Sequence, residues 1–117
     1  MSQLITPDSL RACYNYLAET PPFNRWNLPD GDDVDFVVIR SRTDAGWHKI
    51  VNSRDIIAVS SVTIGRTLSL MEVMSHEKVH VYQRKYGTET PGVAHNREFY
   101  LLGAKVCKVH GFDPRLF

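Results

Sequence analysis

The sequence predicts a single α+β domain: an N-terminal helix, a small three-stranded sheet, a central helix and a C-terminal helix. Three observations carry that expectation. Apolar residues recur at helical spacing near both ends, as Leu10, Cys13, Tyr14 and Leu17 and again as Phe99, Leu102, Val106 and Val109. Three short runs rich in β-branched residues lie between them, from Val34 to Arg40, Trp47 to Val51 and Ile56 to Ser60. With 117 residues there is room for one modest core, so residues 1–117 are read as one domain.

The first helix starts at Thr6-Pro7-Asp8, where Thr6 can cap and Pro7 suits the first helical position. Pro21-Pro22 ends that element, and the acidic turn Asp30-Gly31-Asp32-Asp33 lacks the ligand pattern of a calcium loop. Ala45-Gly46 is read as a turn returning the second strand along the first, with antiparallel hairpins throughout and the third strand free to pair differently. Val62 and Ile64 lead into Gly65. For the central helix, Ser69 and Glu72 have the spacing of a capping box. Gly87 suits a left-handed C-terminal cap, with Arg84 and Lys85 in the last turn. Asn96 is the expected N-cap of the last helix and Gly111 its end.

The central helix contains His76-Glu77-Lys78-Val79-His80, an HExxH pattern. Residues four apart share a helix face, so both imidazoles can reach one metal ion. Neutral imidazole is a good ligand for Zn2+, and the carboxylate of Glu77 can take a proton from a metal-bound water. A catalytic zinc usually has three protein ligands. The longer pattern of the metzincins would need Gly and His where the chain has Gln83 and Tyr86. The remaining candidates are His95, Glu98, His110, His48 and several acids. Glu98, one turn from His95, is an alternative ligand or a partner orienting an imidazole. His110 lies roughly 22 Å beyond His95 along a straight helix, which suits a C-terminal dipole role better. His48 reads as a half-exposed sheet residue that could also face the cleft. Tyr82, Tyr86, Tyr100 and Arg97 are candidate donors to an oxyanion. The Ile56 to Ser60 strand could accept an extended peptide along its edge.

The run from His76 to Tyr82, then His95-Asn96-Arg97-Glu98-Phe99, then Val109-His110-Gly111-Phe112-Asp113, resembles the SprT-like zinc metallopeptidases. The resemblance spans about residues 34 to 113, and its specific part is the region from the HExxH pattern onward. It implies a minimal zincin-like metallopeptidase domain with His76, His80 and His95 as zinc ligands and Glu77 as general base. Asn96-Arg97 stand where that family usually has Gly-Pro, and Gly46-Trp47 reverse the order of a family Trp-Gly element. The implied activity is peptide-bond hydrolysis on a protein or peptide substrate.

Composition limits the alternatives. A net charge of +1 does not support DNA as a partner by bulk attraction, although some members of that family act on DNA-linked proteins. Lys78, Arg84, Lys85, Arg97, Lys105, Lys108 and Arg115 are read as a solvated face. The longest apolar runs are too short to cross a membrane, and the start of the chain lacks the signature of a secretory signal. Cys13 and Cys107 fall on apolar helix faces, so buried free thiols in a reducing, cytoplasmic setting are expected. The rival reading is a non-catalytic, zinc-stabilised binding module, in a nucleic-acid-associated version or otherwise. It would keep the histidines without needing Glu77.

Overall fold

Three helices and a three-stranded sheet form a small α+β domain, in the order α1 (Pro7–Ala18), β1 (Val34–Ile39), β2 (Gly46–Val51), β3 (Arg54–Ser60), α2 (Thr67–Tyr86) and α3 (Arg97–His110). This computed structural model describes residues 5–63 and 67–117. The expected lead-in at Ile64 and Gly65 lies outside the described residues.

Helix α1 starts as its sequence implies. Thr6 Oγ1 accepts from Ser9 N at 3.1 Å, and Ser9 Oγ accepts from Thr6 N at 2.8 Å, a reciprocal capping box followed by Pro7. Leu10, Cys13, Tyr14 and Leu17 are all buried, each leucine contributing roughly 1.5–3 kcal/mol of transfer free energy. Cys13 and Cys107 are buried and unbridged.

The strand pairing differs from the expected hairpin between β1 and β2. The sheet order is β1-β3-β2, with β1 parallel to β3 and β2 antiparallel to β3. Two features of the chain explain this. Asn52 and Ser53 both adopt positive φ, 52° and 62°, the conformation of a type I′ turn, which joins β2 to β3 directly. The run Ile56-Ile57-Ala58-Val59 is the most continuously apolar of the three, and a strand covered on both faces takes the centre of the sheet.

Helix α2 crosses the middle of the molecule, packing against α1, the sheet and α3. Ser69 is the third residue of this helix and not its cap, because the helix is already under way at Thr67. Met74, Ser75, Glu77, Lys78, Val79, Val81 and Gln83 are all buried, so α2 is enclosed on most of its circumference. Gly87, at φ 68°, ends it, and Thr88 N donates to Gln83 O at 3.0 Å. The Asn96 side chain then does two jobs. Its oxygen caps α3 by accepting from Phe99 N at 3.0 Å, and its amide donates to Thr88 O at 2.9 Å. Gly111, at φ 80°, ends α3. Phe99, Leu102 and Val106 face the core, but Val109 is exposed. Cys107 takes the buried position instead, because the stripe drifts around the helix by the fourth turn.

Candidate metal centre

The geometry of the histidine cluster follows from α2 and the Asn96 cap. His76 and His80 sit one turn apart on α2, and the loop from Gly87 to Asn96 folds back to present His95 to them. One ring nitrogen from each of the three lies within 4.8 Å of the others, so the three could hold a metal ion. His76 Nε2 and His95 Nε2 are 3.1 Å apart. Beneath them lies Phe99, its ring centroid 4.8 Å from His76, 4.8 Å from His80 and 4.3 Å from His95. A buried aromatic floor fixes where the three imidazoles can go.

Burial disfavours the charged form of all three imidazoles, and a metal requires the neutral one. Burial lowers the pKa of His76 to about 4, against the raising effect of its bond to the Phe117 carbonyl. His80 falls to about 3, through burial first and then its histidine neighbours. His95, the least buried, is lowered by burial. Glu77 is buried, and burial alone raises its pKa to about 8. Among the described residues it has no hydrogen-bonding side-chain partner. Its carboxylate faces the open space beside the histidines.

That space is a cavity of about 870 Å³ walled by the three histidines, Glu77, Gln83, the 87–94 loop and the start of β2, within the size range of small-molecule sites. Strand β2 comes this close because of Gly46. A Cβ there would meet Ala58 O at 2.6 Å and Val73 Cγ1 at 3.0 Å, and would stand 3.5 Å from Glu77 Oε2. A smaller cavity of about 280 Å³ adjoins Glu77 and His76, walled by Thr43 to Gly46, Val73, Leu116 and Phe117.

The structure thus brings His76, Glu77, His80 and His95 together and separates the other candidates from them. Glu98 bonds to none of the histidines and does not line the cavity. Tyr82 packs between Trp26 and Tyr86, at centroid distances of 4.7 and 4.6 Å, on the side of α2 away from the cavity. Tyr86 donates to Trp26 O at 2.8 Å, and Arg97 does not reach the cavity wall. Tyr100 is exposed, its ring 6.4 Å from His95. His110 binds the loop after α1, with Nε2 2.8 Å from Pro21 O and 3.1 Å from Thr20 Oγ1. Strand β3 is paired on both sides, so it offers no edge to a peptide.

Of the two readings of His48, the structure takes the one in which it faces the cleft. Its side chain is 6% exposed, lines the cavity and stacks parallel to His80 at a centroid distance of 6.3 Å. Its Nε2 lies 2.7 Å from Asp55 Oδ1, and Arg84 closes on the same carboxylate from α2, with Nε at 2.9 Å from Oδ1. Burial works to raise the Asp55 pKa, but the bonds from His48 and Arg84 outweigh it and hold the carboxylate below its usual range. The signal for this group was the β2–β3 turn. With Ile50 opposite Asp55, His48 stands diagonal to Asp55 on one face of the sheet.

The supposed solvated basic face also changes. Lys78 is fully buried, with Nζ 3.5 Å from the centroid of the Tyr14 ring and 3.2 Å from Tyr14 O. Arg84 is committed to Asp55 and Arg115 to Asp113. No helix among the described residues is long and apolar enough to cross a membrane.

Comparison of the chain with protein-family models, with curated proteins and with solved structures finds no match.

Proposed function

We propose that this chain is a zinc-dependent metallopeptidase in which His76, His80 and His95 hold the ion and Glu77 is the general base. The observation that carries the reading is the convergence of three neutral imidazoles on one point beside a buried, partnerless carboxylate. The spacing suits the ion. Two nitrogens bound tetrahedrally at about 2.05 Å stand about 3.3 Å apart, close to the 3.1 Å between His76 and His95 Nε2. The likeness of the HExxH-to-His95 order to the SprT-like metallopeptidases supports it as well.

A bound zinc would supply a polarised water and a Lewis acid for the scissile carbonyl. The residues of the chain would do the rest. A positive charge at the histidines would offset the burial that keeps Glu77 protonated, leaving the carboxylate free to accept a proton from water and return it to the leaving amine. His48, anchored by Asp55 and Arg84 against the opposite wall, gives its Nε2–H to the Asp55 carboxylate, which would leave Nδ1 free to accept an N–H from a substrate across the cavity. An extended peptide would lie along β2, whose outer edge has no strand partner among the described residues and whose Gly46, Trp47 and His48 wall the cavity.

The test is Glu77→Gln, which keeps the size of the side chain and removes the base. Zinc content should stay unchanged while hydrolysis of an unfolded, fluorophore-labelled protein falls by at least ~10²-fold. Wild-type protein that binds zinc and cleaves nothing would favour the zinc-stabilised binding module instead. Equal cleavage by both proteins would remove Glu77 from the mechanism.

A further inference from the structure

The segment after α3 reaches back to the histidine cluster. His76 Nδ1 lies 2.7 Å from the main-chain oxygen of Phe117, across 41 positions of sequence. A main-chain oxygen only accepts, so Nδ1 must carry the proton and Nε2 the lone pair. That is the tautomer in which Nε2 can bind an ion while facing His95.

The contact is built into the fold. Leu116 N and Phe117 N both donate to Asp113 O, at 3.0 and 3.2 Å, closing a turn that Arg115 and Asp113 brace with a 2.9 Å ion pair. The Phe117 ring settles near Phe112, Phe99 and His76, at centroid distances of 6.2, 6.2 and 5.4 Å. It lies over Gly103 of α3, where a Cβ would stand only 3.0 and 3.1 Å from two ring carbons. A side chain at 103 would therefore push the ring by a few tenths of an ångström, and the seated ring sets where the Phe117 oxygen points.

We infer that residues 112–117 are a working part of the metal centre, with Phe117 as a positioning residue that fixes the tautomer and orientation of His76. The inference rests on the zinc reading above. It names a determinant of metal affinity outside the HExxH pattern and outside the three ligands.

Wild type, Phe117→Ala, Phe117→Leu, Gly103→Ala and the Gly103→Ala/Phe117→Ala double variant would be compared in two measurements. In metal-free protein, imidazole ¹⁵N shifts report the His76 tautomer. Wild type should show Nδ1–H alone, and Phe117→Ala a mixture. Chelator competition then gives Zn2+ affinity. Phe117→Ala should weaken it by about 10- to 100-fold, the usual effect of losing a partner that orients a ligand, and Gly103→Ala should weaken it in the same direction by less. Phe117→Leu should recover part of the loss. Gly103→Ala should cost nothing further once the ring is gone, because its only effect is on the ring. An unchanged tautomer and unchanged affinity in both single variants would overturn the inference and leave the tail as packing. Absence of zinc binding by wild type would overturn the metal reading itself, and this inference with it.

Discussion

Glu77 and Lys78 are neighbours on α2, both buried and both ionisable, yet they face different worlds. Lys78 points toward α1, where its Nζ donates a hydrogen bond to the Tyr14 carbonyl and the faces of Tyr14 and Phe23 lie under its charge. Glu77 points toward β2 and the cavity, with no such partner. Burial shifts both toward neutrality, Lys78 down to about 7 and Glu77 up to about 8. The difference lies in what compensates them. The lysine is completed by protein groups, as buried polar atoms in a core usually are. The carboxylate is not, and although Phe117 holds Nδ1 of His76, the imidazoles turn their remaining nitrogens toward one another; unmet polar chemistry around a cavity is the mark of a site.

The histidines allow the largest test of that contrast. His95→Ala should reduce Zn2+ affinity by at least ~10²-fold, since it removes one of three donors on which the metal reading depends. Metal analysis and chelator competition on the purified variant measure it. Retention of wild-type zinc content would mean that some other group completes the site.

A second test compares the two α2 neighbours by their pH dependence in metal-free protein. For Lys78 the folded pKa lies below its ordinary 10.5. Above about 7 the unfolded chain then binds more protons than the folded one, and stability rises with pH toward 10.5. For Glu77, raised from 4.5 to about 8, the folded form holds the extra proton. Its contribution is full below 4.5 and is lost as pH climbs through 8. Urea midpoints across this range should show Lys78→Met losing the rising component and Glu77→Gln losing the falling one. If both variants keep the wild-type profile, neither group is buried as described. Burial of Cys13 raises its thiol from 9.0 to about 11, an opposing effect that begins above pH 9, so the Lys78 slope is best read between pH 7 and 9.

Much of this was legible in the sequence. The helices, the Thr6 and Asn96 caps and the glycine stops at 87 and 111 follow from local rules, and the HExxH spacing places two histidines and a glutamate without any tertiary knowledge. What was not legible depended on pairing. The roles of His48 and Arg84 both required recognising Asn52-Ser53 as a type I′ turn, which sets β2 against β3 and gives Asp55 its partners. Lys78 looked solvent-facing because a charged residue in a helix usually is. Its burial follows only from α1 lying against that face of α2. The approach of Phe117 to His76 has no local signal at all.

Charge offers a smaller test. With Lys78 buried and Arg84 and Arg115 paired, the basic stretch from 78 to 115 presents fewer free cations than its composition implies. DNA should therefore bind weakly at low salt and be lost steeply as salt rises. Fluorescence anisotropy with a labelled duplex measures this. Tight binding that persists at physiological salt would call for a DNA surface that these residues do not form.

The smallest expected effect is at His110, a histidine whose polar needs the protein already meets. Thr20 Oγ1 donates to Leu17 O at 2.7 Å, so it is free to accept, and His110 Nε2–H is shared between that oxygen and Pro21 O. The ring also packs beside Phe23 and Phe112. His110→Ala removes this tie between the end of α3 and the loop after α1, at a cost of about 0.5–1.5 kcal/mol for the hydrogen bond. It should leave the zinc content nearly unchanged, because His110 touches none of His76, Glu77, His80 and His95 and meets the 112–117 segment only at Phe112, away from the Phe117 oxygen that holds His76. Thermal melting with metal analysis gives both numbers from one preparation. A clear loss of zinc alongside a small loss of stability would place His110 in the metal centre and end the distinction between partnered and unpartnered histidines.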